Sequence, residues 1–260
     1  MHTGLIGFTG FVGSSLLKQT RFEALYRSTN IQEVEGQSFS LVVCAGASAQ
    51  KWIANKDPKT DLRKIERLIG HLKKIRCKKF ILISTVDVFK SAIDIDENTP
   101  IVEEGLHAYG LHRRLLEKFV ESHFERCLVI RLPGLVGPGL RKNIIFDLLN
   151  DKNLNMIDSR SIFQFYPMVN LWSDIQTALT NNLNLVHFTA EPISVEEIAI
   201  KGFGLDFKHT LKNLPVRYNM RSIYSQLFSG KNGYQYSSKE TLLAVRSYAQ
   251  SESKTVMDTC

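Results

Sequence analysis

Long apolar segments are absent from this sequence of 260 residues. The longest apolar runs cover residues 41–45 and 80–83, which is the length of a buried β-strand and too short to cross a bilayer. The chain does not open on a charged segment followed by an apolar one, so we expect no secretory signal. These absences predict a protein that has no membrane partner and resides in the cytoplasm.

Cysteine is scarce and shows no pattern. Cys44, Cys77, Cys127 and Cys260 include no pair separated by two residues and have no histidine at the spacing of metal ligands. This arrangement is typical of reduced thiols in the cytoplasm. We therefore predict neither a metal site nor a catalytic cysteine.

The most basic segment of the chain lacks the interleaved aromatic residues on which single-stranded nucleic acids bind. The net charge of +7 of the chain is partly concentrated in this segment, which contains Lys73, Lys74, Arg76, Lys78 and Lys79. Cations near the end of a helix interact favourably with its dipole, so a solvated helix end explains several of them. The alternative is that they attract an anionic cofactor or substrate. We predict no nucleic-acid partner.

What the sequence does contain is a glycine pattern, which follows its first apolar run and precedes a segment that can form a helix, residues 14–19. A strand, a glycine turn and a helix form the phosphate-binding unit of dinucleotide sites. Gly7 would allow the tight turn, Gly10 the approach of a pyrophosphate, and Gly13 the packing of the helix on the strand. The helix N-terminus offers free N–H groups to the phosphates. The predicted phosphate-binding residues are Gly7, Thr9, Gly10, Phe11, Val12 and Gly13.

Short apolar strands alternate with amphipathic helices along the chain. The predicted strands cover residues 5–8, 24–26, 41–44, 80–84, 127–132 and 185–188. The predicted helices cover residues 14–19, 61–75, 109–124, 144–149 and 195–201, and a capping box at Ser237 opens a last helix through residue 249. Strands that are apolar on both sides indicate a parallel sheet with helices on both faces. The pattern predicts an α/β fold, a Rossmann-type doubly wound parallel sheet with a small C-terminal substrate lobe.

The domain boundaries follow from this alternation. We expect a dinucleotide-binding domain over residues 1–158, a substrate lobe over 159–250 whose strand near 185–189 returns to the sheet, and a flexible tail over 251–260. Residues 27–40 leave little room between the second and third strands for a crossover helix and another strand. The second strand–helix–strand unit is therefore expected to be shortened.

Six segments, in this order, resemble the motifs of one enzyme family. They are the glycine turn, Cys44-Ala45-Gly46-Ala47, residues 84–89, Tyr109-Gly110-Leu111-His112-Arg113, residues 131–139 and residues 169–175. The chain resembles the extended short-chain dehydrogenase/reductase family, which includes sugar-nucleotide epimerases and reductases. The resemblance runs from Thr3 to about Gly204. It implies cofactor contacts, besides the phosphate-binding residues, from Cys44, Ala45, Gly46, Ser84, Tyr109, Arg113, Leu132, Pro133 and Gly134.

The resemblance also implies a mechanism. The Tyr109 hydroxyl donates or removes the substrate proton, and Thr85 hydrogen-bonds the reacting oxygen. A free tyrosine has a pKa of about 10 and is a poor base at neutral pH, so a cation beside it is needed to favour the phenolate. The family carries lysine four residues after the tyrosine, whereas this chain carries Arg113, whose planar fork is larger. His112 is a second candidate proton carrier, or an ordinary helix histidine.

Two further sets of residues bear on the reaction. Dehydratases of the family carry an acid pair after the catalytic threonine, but here the first position is Val86, so dehydration is disfavoured. Asp87 contacts the substrate or, alternatively, hydrogen-bonds its own loop. Asn143, with Arg141 and Lys142, could meet an anionic group of the substrate.

The choice of cofactor rests on the end of the second strand. An acid there would bind the ribose of NAD, and an arginine would accommodate the extra phosphate of NADP. The chain has Arg27 and no acid over residues 26–30, which favours NADP over NAD.

Two functions of different classes remain open. The first is an NAD(P)-dependent oxidoreductase or epimerase that acts on a hydroxyl or carbonyl of a polar, nucleotide-linked sugar. The second is a non-catalytic NAD(P)-binding sensor or scaffold of the same fold, which the arginine at position 113 and the short lobe favour. A homodimer is kept as a candidate assembly.

Overall fold

A computed structural model describes residues 2–254 of the chain and divides it into two compact units. The first unit combines three stretches of chain: the residues up to Ala92, Glu97–Leu132 and Leu171–His187. The second unit combines Ile93–Asp96, Pro133–Asn170 and the chain from Phe188 onward. The division therefore differs from the expected boundary after residue 158. The chain leaves the first unit at Leu132 and returns at Leu171 to add one more helix and strand.

A sheet of parallel strands forms the centre of the first unit. We label its strands in chain order as β1 (Thr3–Ile6), β2 (Ala24–Tyr26), β3 (Leu41–Cys44), β4 (Phe80–Thr85), β5 (Cys127–Leu132) and β6 (Leu185–His187). Their order across the sheet is β6-β5-β4-β3-β1-β2, and every neighbouring pair is parallel. This confirms the predicted Rossmann-type sheet.

The helices of residues 2–254, also labelled in chain order, connect these strands or belong to the second unit. They are α1 (Phe11–Gln19), α2 (Lys51–Lys56), α3 (Pro58–Leu72), α4 (Ala108–His123), α5 (Ile144–Asn150), α6 (Leu171–Thr180), α7 (Val195–Ile198) and α8 (Ser238–Ser251). Short 3-10 turns cover Ile31–Val34, Val86–Val88, Leu154–Met156, Met168–Asn170 and Ser225–Phe228, and a π-helical turn, Ala199–Phe203, continues α7. Within residues 2–254, no helix has the length and apolarity needed to cross a bilayer.

The central strands β1, β3, β4 and β5 are buried on both faces, as their apolar sequences predict. Val42 and Leu82 belong to a core cluster with Ile65 of α3 and Leu116 of α4, so these two helices cover one face. Val43, which points to the other face, is also fully buried. Because right-handed crossovers that run in opposite directions along a sheet lie on opposite faces, α1 covers that second face. There α6 joins α1, since the Trp172 N–H donates to the Gln19 side chain at 2.8 Å.

The link between β2 and β3 is as short as the sequence predicts. It contains the 3-10 turn and a two-residue strand, Ser38–Phe39, which pairs with Arg76–Cys77 outside the main sheet. No crossover helix lies between β2 and β3, so β2 remains at the edge of the sheet. The prediction of a shortened second strand–helix–strand unit is confirmed.

Helices α2 and α3 depart from the sequence prediction. Helix α2 was not predicted, and the helix expected at residues 61–75 begins at Pro58 and ends at Leu72. Asp57 caps α3 by accepting the Thr60 N–H at 3.1 Å, and Pro58 occupies the first helical position, where its missing N–H costs nothing. Asp57 thus separates two helices, and the first of them carries residues of the site described below.

The second unit is built from short elements. Small two-stranded pairs join Ile162–Phe163 with Ile193–Ser194, Phe165–Pro167 with Gly134–Val136, and Asn219–Met220 with Ile93–Ile95. The capping box predicted at Ser237 is confirmed, because Ser237 and Glu240 each accept the other's backbone N–H. The predicted tail begins after α8, and residues 255–260 lie outside the described residues.

Cys44, Cys77 and Cys127 are free thiols, and Cys260 lies outside the described residues. Burial raises the pKa of the Cys44 and Cys77 thiols to about 11, so both stay protonated at neutral pH. Among residues 2–254, no three His, Cys, Asp or Glu side chains are grouped closely enough to hold a metal ion.

Candidate active site

Two glycines of the turn after β1 are required by the fold itself. Gly7 has a φ of +87°, and a Cβ atom there would lie 2.3 Å from the carbonyl oxygen of Ala45. A Cβ atom on Gly13 would lie 2.2 Å from the carbonyl oxygen of Gly7. Both contacts are with backbone that cannot move aside, so neither position accepts a side chain.

Gly10 is different, because the protein gives no reason for a glycine there. Its φ of −76° suits any residue, and the nearest atom to an added Cβ is the Gly7 oxygen at 3.4 Å, an ordinary contact. Gly10 also precedes α1, whose N-terminus has no capping side chain and no acid in its first turn. Open space before free N–H groups fits a phosphate. The residues present therefore fit the pyrophosphate of a dinucleotide.

The glycine turn lies at the point where the strand order reverses. After β2 the chain crosses to the other side of β1, so β1 and β3 are neighbours whose carboxyl ends point to the same edge. In open α/β sheets this edge is the place where ligands bind. Ala45 follows β3 there and bonds to the carbonyl of Ile6 at 2.8 Å. Cys44 is fully buried in the core, which leaves only its backbone to the predicted cofactor contact.

Arg27 follows the end of β2 and is exposed. Its N–H donates to the Asn30 side chain at 2.7 Å, and Asn30 in turn donates to Glu33 at 3.4 Å. The sequence shows no acid within residues 26–30, but the 3-10 turn brings Glu33 back toward the strand end. Arg27 and Glu33 therefore lie on one short segment. An arginine there favours the ribose phosphate of NADP, whereas an acid favours the ribose hydroxyls of NAD.

Tyr109 and Thr85 are brought together, as the resemblance implies. Thr85 ends β4, and its hydroxyl forms a hydrogen bond with the hydroxyl of Tyr109, which lies buried in the first turn of α4. The next residue is Gly110, where a Cβ would meet the carbonyl oxygen of Asp87. The glycine therefore allows the start of α4 to approach the turn that follows β4. The pair is held by backbone packing as well as by its own hydrogen bond.

The surroundings of Tyr109 keep its phenol protonated. Burial is the largest influence and raises its pKa, and the carboxylate of Asp87 raises it further. The Arg113 guanidinium, the hydrogen bond with Thr85 and the Lys51 ammonium lower the pKa, but the net direction is upward from the usual value of 10.0. The Tyr109 phenol is therefore protonated at neutral pH.

The Arg113 guanidinium is occupied by hydrogen bonds within the protein. Its side chain is almost completely buried, donates to Asp61 at 2.5 and 3.0 Å, and also bonds the carbonyl of Ser48. The guanidinium carbon lies 4.0 Å from the centre of the Tyr109 ring, over its face. His112, expected as a proton carrier, is also buried and contacts Asp61 at 2.7 Å. The imidazole belongs to the same buried cluster as Arg113 and does not lie on the helix surface.

Asp61 is the carboxylate that Arg113 and His112 both contact. Burial alone would raise the pKa of its carboxyl, but the hydrogen bonds from Arg113 and His112 outweigh burial and lower it. The result is a compensated ion pair that joins α3 to α4. Sequence reasoning missed Asp61, and its only signal is an acid in the first turn of α3.

Arg113→Lys should lower the free energy of unfolding by about 1–3 kcal/mol, since an ammonium cannot replace the forked contacts to Asp61 and Ser48. Urea denaturation measures this difference. Arg63→Lys on the exposed face of α3 is the matched control and should be neutral. Equal stability of the wild type and Arg113→Lys would contradict the structural role of Arg113.

Three residues that the sequence did not indicate surround Tyr109. Asn55 of α2 accepts the Tyr109 N–H at 3.0 Å, and His107 caps α4 by accepting the Gly110 N–H at 3.0 Å. Lys51, at the start of α2, donates to Asp87 at 2.7 Å. Lys51 and Asn55 belong to α2, which carries no recognisable pattern in the sequence, and His107 precedes the Tyr109 segment without being part of that motif.

Other predicted site residues have structural partners. Ser84 donates to the buried Glu117 at 2.5 Å, and Glu117 also binds Arg131 through both of its oxygens. Leu132 is buried at the end of β5, while Pro133 and Gly134 begin the second unit. In that unit Asn143 caps α5 by accepting two backbone N–H groups, and it donates to the carbonyl of Leu135. The amide of Asn143 is therefore occupied by backbone partners within the second unit.

Comparisons with known proteins resolve the fold and not the family. No family model and no curated protein sequence matches this chain. A dTDP-4-dehydrorhamnose reductase from Clostridium acetobutylicum is similar in structure, with a TM-score of 0.73, 16% identity and coverage of 96% of this chain and 99% of that chain. A UDP-galactose 4-epimerase has a TM-score of 0.71, 15% identity and coverage of 96% and 98%. The protein RMD from Pseudomonas aeruginosa, complexed with NADPH, has a TM-score of 0.67, 15% identity and coverage of 96% and 99%.

Identities this low show shared architecture only. The coverage means that the similarity extends over both units and not over the sheet alone. The chain therefore has the fold of these proteins, an α/β fold with a Rossmann-type parallel sheet.

Proposed function

We propose that this chain is an NADP(H)-dependent reductase that acts on a carbonyl group of a nucleotide-linked sugar. One observation carries the proposal: the buried Tyr109 phenol, hydrogen-bonded to Thr85, is held protonated at the edge of the sheet where ligands bind. The fold is shared with a dTDP-4-dehydrorhamnose reductase and a UDP-galactose 4-epimerase, which motivates the substrate class. Reduction uses a protonated phenol, whereas oxidation of an alcohol needs the phenolate.

The dinucleotide would be held by the glycine turn and the N-terminus of α1. The space beside Gly10 accepts the pyrophosphate, and the backbone after β3, at Ala45 and Gly46, borders the same edge. A bound reduced nicotinamide supplies the hydride that the carbonyl carbon accepts. Arg27 would meet a phosphate on the adenosine ribose.

Thr85 and Tyr109 would act on the carbonyl oxygen. Both hydroxyls can hydrogen-bond it, which polarises the carbon–oxygen double bond before reduction. As negative charge develops on the oxygen, Tyr109 gives up its proton, so one O–H bond breaks on the tyrosine and one forms on the substrate. Solvent then returns a proton to Tyr109. Thr85 therefore orients the oxygen, and Tyr109 is the general acid.

A second function is favoured by a specific observation. Because both terminal nitrogens of Arg113 already donate to Asp61 and to backbone carbonyls, the cation four residues after the tyrosine is not free to contact a ribose. A protein with this change could bind a dinucleotide and transmit its redox state without catalysis. This alternative predicts cofactor binding with no turnover of any sugar.

The test is a two-part assay on the purified full chain. Binding of NADPH and NADH is measured by calorimetry, and consumption of NADPH is then followed with dTDP-linked and UDP-linked 4-keto sugars. We expect tight binding and substrate-dependent consumption. Binding of NADPH with no consumption across the panel, and no interconversion of UDP-hexoses, would favour the sensor.

Arg27→Asp should remove a preference of about 10- to 100-fold for NADPH over NADH, since a hydrogen bond to a charged phosphate is worth about 1.5–3 kcal/mol. Competitive binding titrations with both cofactors measure the ratio. Arg21→Asp, an equally exposed change before β2, is the control and should leave the ratio unaltered. Glu33→Gln should increase the preference. Equal affinity of the wild type for both cofactors would reject this role of Arg27.

A further inference from the structure

The accessible charges around Tyr109 include an ion pair between Lys51 of α2 and Asp87 of the turn after β4. Lys51 Nζ lies 2.7 Å from Asp87 Oδ1, and the side chains are 40% and 18% exposed. The pair is thus accessible to a ligand, in contrast to the buried Arg113 and Asp61. Both Lys51 and Asp87 act electrostatically on Tyr109.

The position of Lys51 is fixed from two directions. Asn55, one turn further along α2, accepts the Tyr109 N–H at 3.0 Å and so ties α2 to the start of α4. On the other side the Asp87 N–H donates to Thr85 Oγ1 at 3.1 Å. The same turn packs against Gly110, where no side chain would fit. These contacts place α2 and the turn after β4, and with them the ion pair, beside the start of α4.

Lys51 also has unused donors. An ammonium carries three protons, and among residues 2–254 Asp87 is the only protein acceptor that Lys51 Nζ contacts. Two N–H groups therefore remain for solvent or for a ligand. The two terminal nitrogens of Arg113, by contrast, already donate to Asp61, Ser48 and the Tyr109 carbonyl.

We propose that Lys51, oriented by Asp87, is the positioning residue that supplies accessible positive charge to the Tyr109 hydroxyl. It would take the part of the lysine that the resemblance implies at position 113, and it would do so from a different helix. The proposal rests on the proposed function for its catalytic meaning. The electrostatic statement itself concerns Tyr109 alone, with or without turnover.

The charged groups that face Tyr109 come from four places. Lys51 belongs to α2, Asp87 to the turn after β4, Arg113 to α4 itself, and His107 to the cap before α4. Burial, with Lys51 next, lowers the pKa of His107, so this imidazole is neutral at neutral pH. Asp61 on α3 compensates Arg113. Removal of Lys51 would therefore strengthen the influence of the Asp87 carboxylate on the phenol, and the pKa of Tyr109 would rise.

The experiment titrates Tyr109 by the ultraviolet absorbance of its phenolate in the full chain without cofactor. Each variant is compared with the same variant carrying Tyr109→Phe, so the difference isolates one tyrosine. Lys51→Met should raise the pKa of Tyr109, Lys51→Arg should reverse most of that rise, and Asp87→Asn should lower the pKa. Lys56→Met, at the other end of α2, is the control and should have no effect.

The outcomes separate this inference from the proposed function. A shift in Lys51→Met supports the inference even when no sugar is turned over, and in that case only the proposed function fails. Where turnover occurs, the basic limb of kcat/KM should move to higher pH by the same amount, because reduction requires the protonated phenol. An unmoved titration in both Lys51→Met and Lys51→Gln overturns the inference, whatever the activity.

Discussion

Tyr109→Phe is expected to lower the turnover of a carbonyl substrate by about 10²–10⁴-fold and to change cofactor affinity by less than about twofold. The substitution removes one oxygen and its proton and leaves the ring that packs under Arg113. Thr85 cannot replace it, because a threonine hydroxyl is a far weaker acid. Steady-state kinetics and a cofactor titration on the same preparation measure both quantities.

Tyr248→Phe is the matched control for this substitution. Tyr248 is also buried, and its hydroxyl donates to the carbonyl of Leu140 in the second unit. Loss of this hydrogen bond should cost stability of about 1 kcal/mol and leave turnover intact. If Tyr109→Phe kept more than about a tenth of the wild-type turnover, proton donation by Tyr109 would be refuted.

Gly10→Val is expected to weaken dinucleotide binding by at least about 100-fold while the fold persists. An added Cβ meets no protein atom closer than 3.4 Å, so the folded chain accepts it. The valine methyl groups would fill the space for the pyrophosphate and separate it from the N–H groups of α1. Loss of two hydrogen bonds to a charged phosphate, at about 1.5–3 kcal/mol each, accounts for this magnitude. Calorimetry with NADPH measures the affinity, and circular dichroism measures the fold.

Two other glycine variants are the controls for Gly10→Val. Gly70→Val changes a position of α3 where an added Cβ meets no atom within 4 Å, so both fold and affinity should remain. Gly13→Ala should disrupt folding, because its Cβ would overlap the backbone of Gly7 and Phe8. A folded Gly10→Val variant with wild-type affinity would place the cofactor elsewhere.

The site could be predicted in part because several of its signals are local. Gly7 and Gly13 lie within a single short segment of the chain, and the resemblance assigns Thr85 and Tyr109 to the same reaction. The contacts that change the chemistry are not local. Arg113 contacts Asp61 across 52 positions of sequence, and Lys51 contacts Asp87 across 36. Neither acid forms a motif with its partner, so the sequence does not indicate which carboxylate pairs with Arg113 or with Lys51.

Asn143 and His112 illustrate why residue type alone does not establish a role. Asn143 follows a glycine segment and could meet a ligand, yet its side chain satisfies the first N–H groups of α5. His112 lies three residues after the reactive tyrosine, yet its imidazole contacts Asp61 within the buried cluster. Both roles depended on the direction of a side chain, which neighbouring sequence does not specify.

The sequence by itself determined the alternation of strands and helices, the parallel sheet with its shortened second strand–helix–strand unit, and the glycine turn. These follow from apolar periodicity, glycine spacing and chain length, which act over a few residues. The tertiary structure alone decided that Arg113 is held by Asp61 and that Lys51 lies beside Asp87 near Tyr109. The physical reason is that the electrostatics of a buried phenol depend on which charges the packing of α2, α3 and α4 brings close, and that packing is set by the whole core.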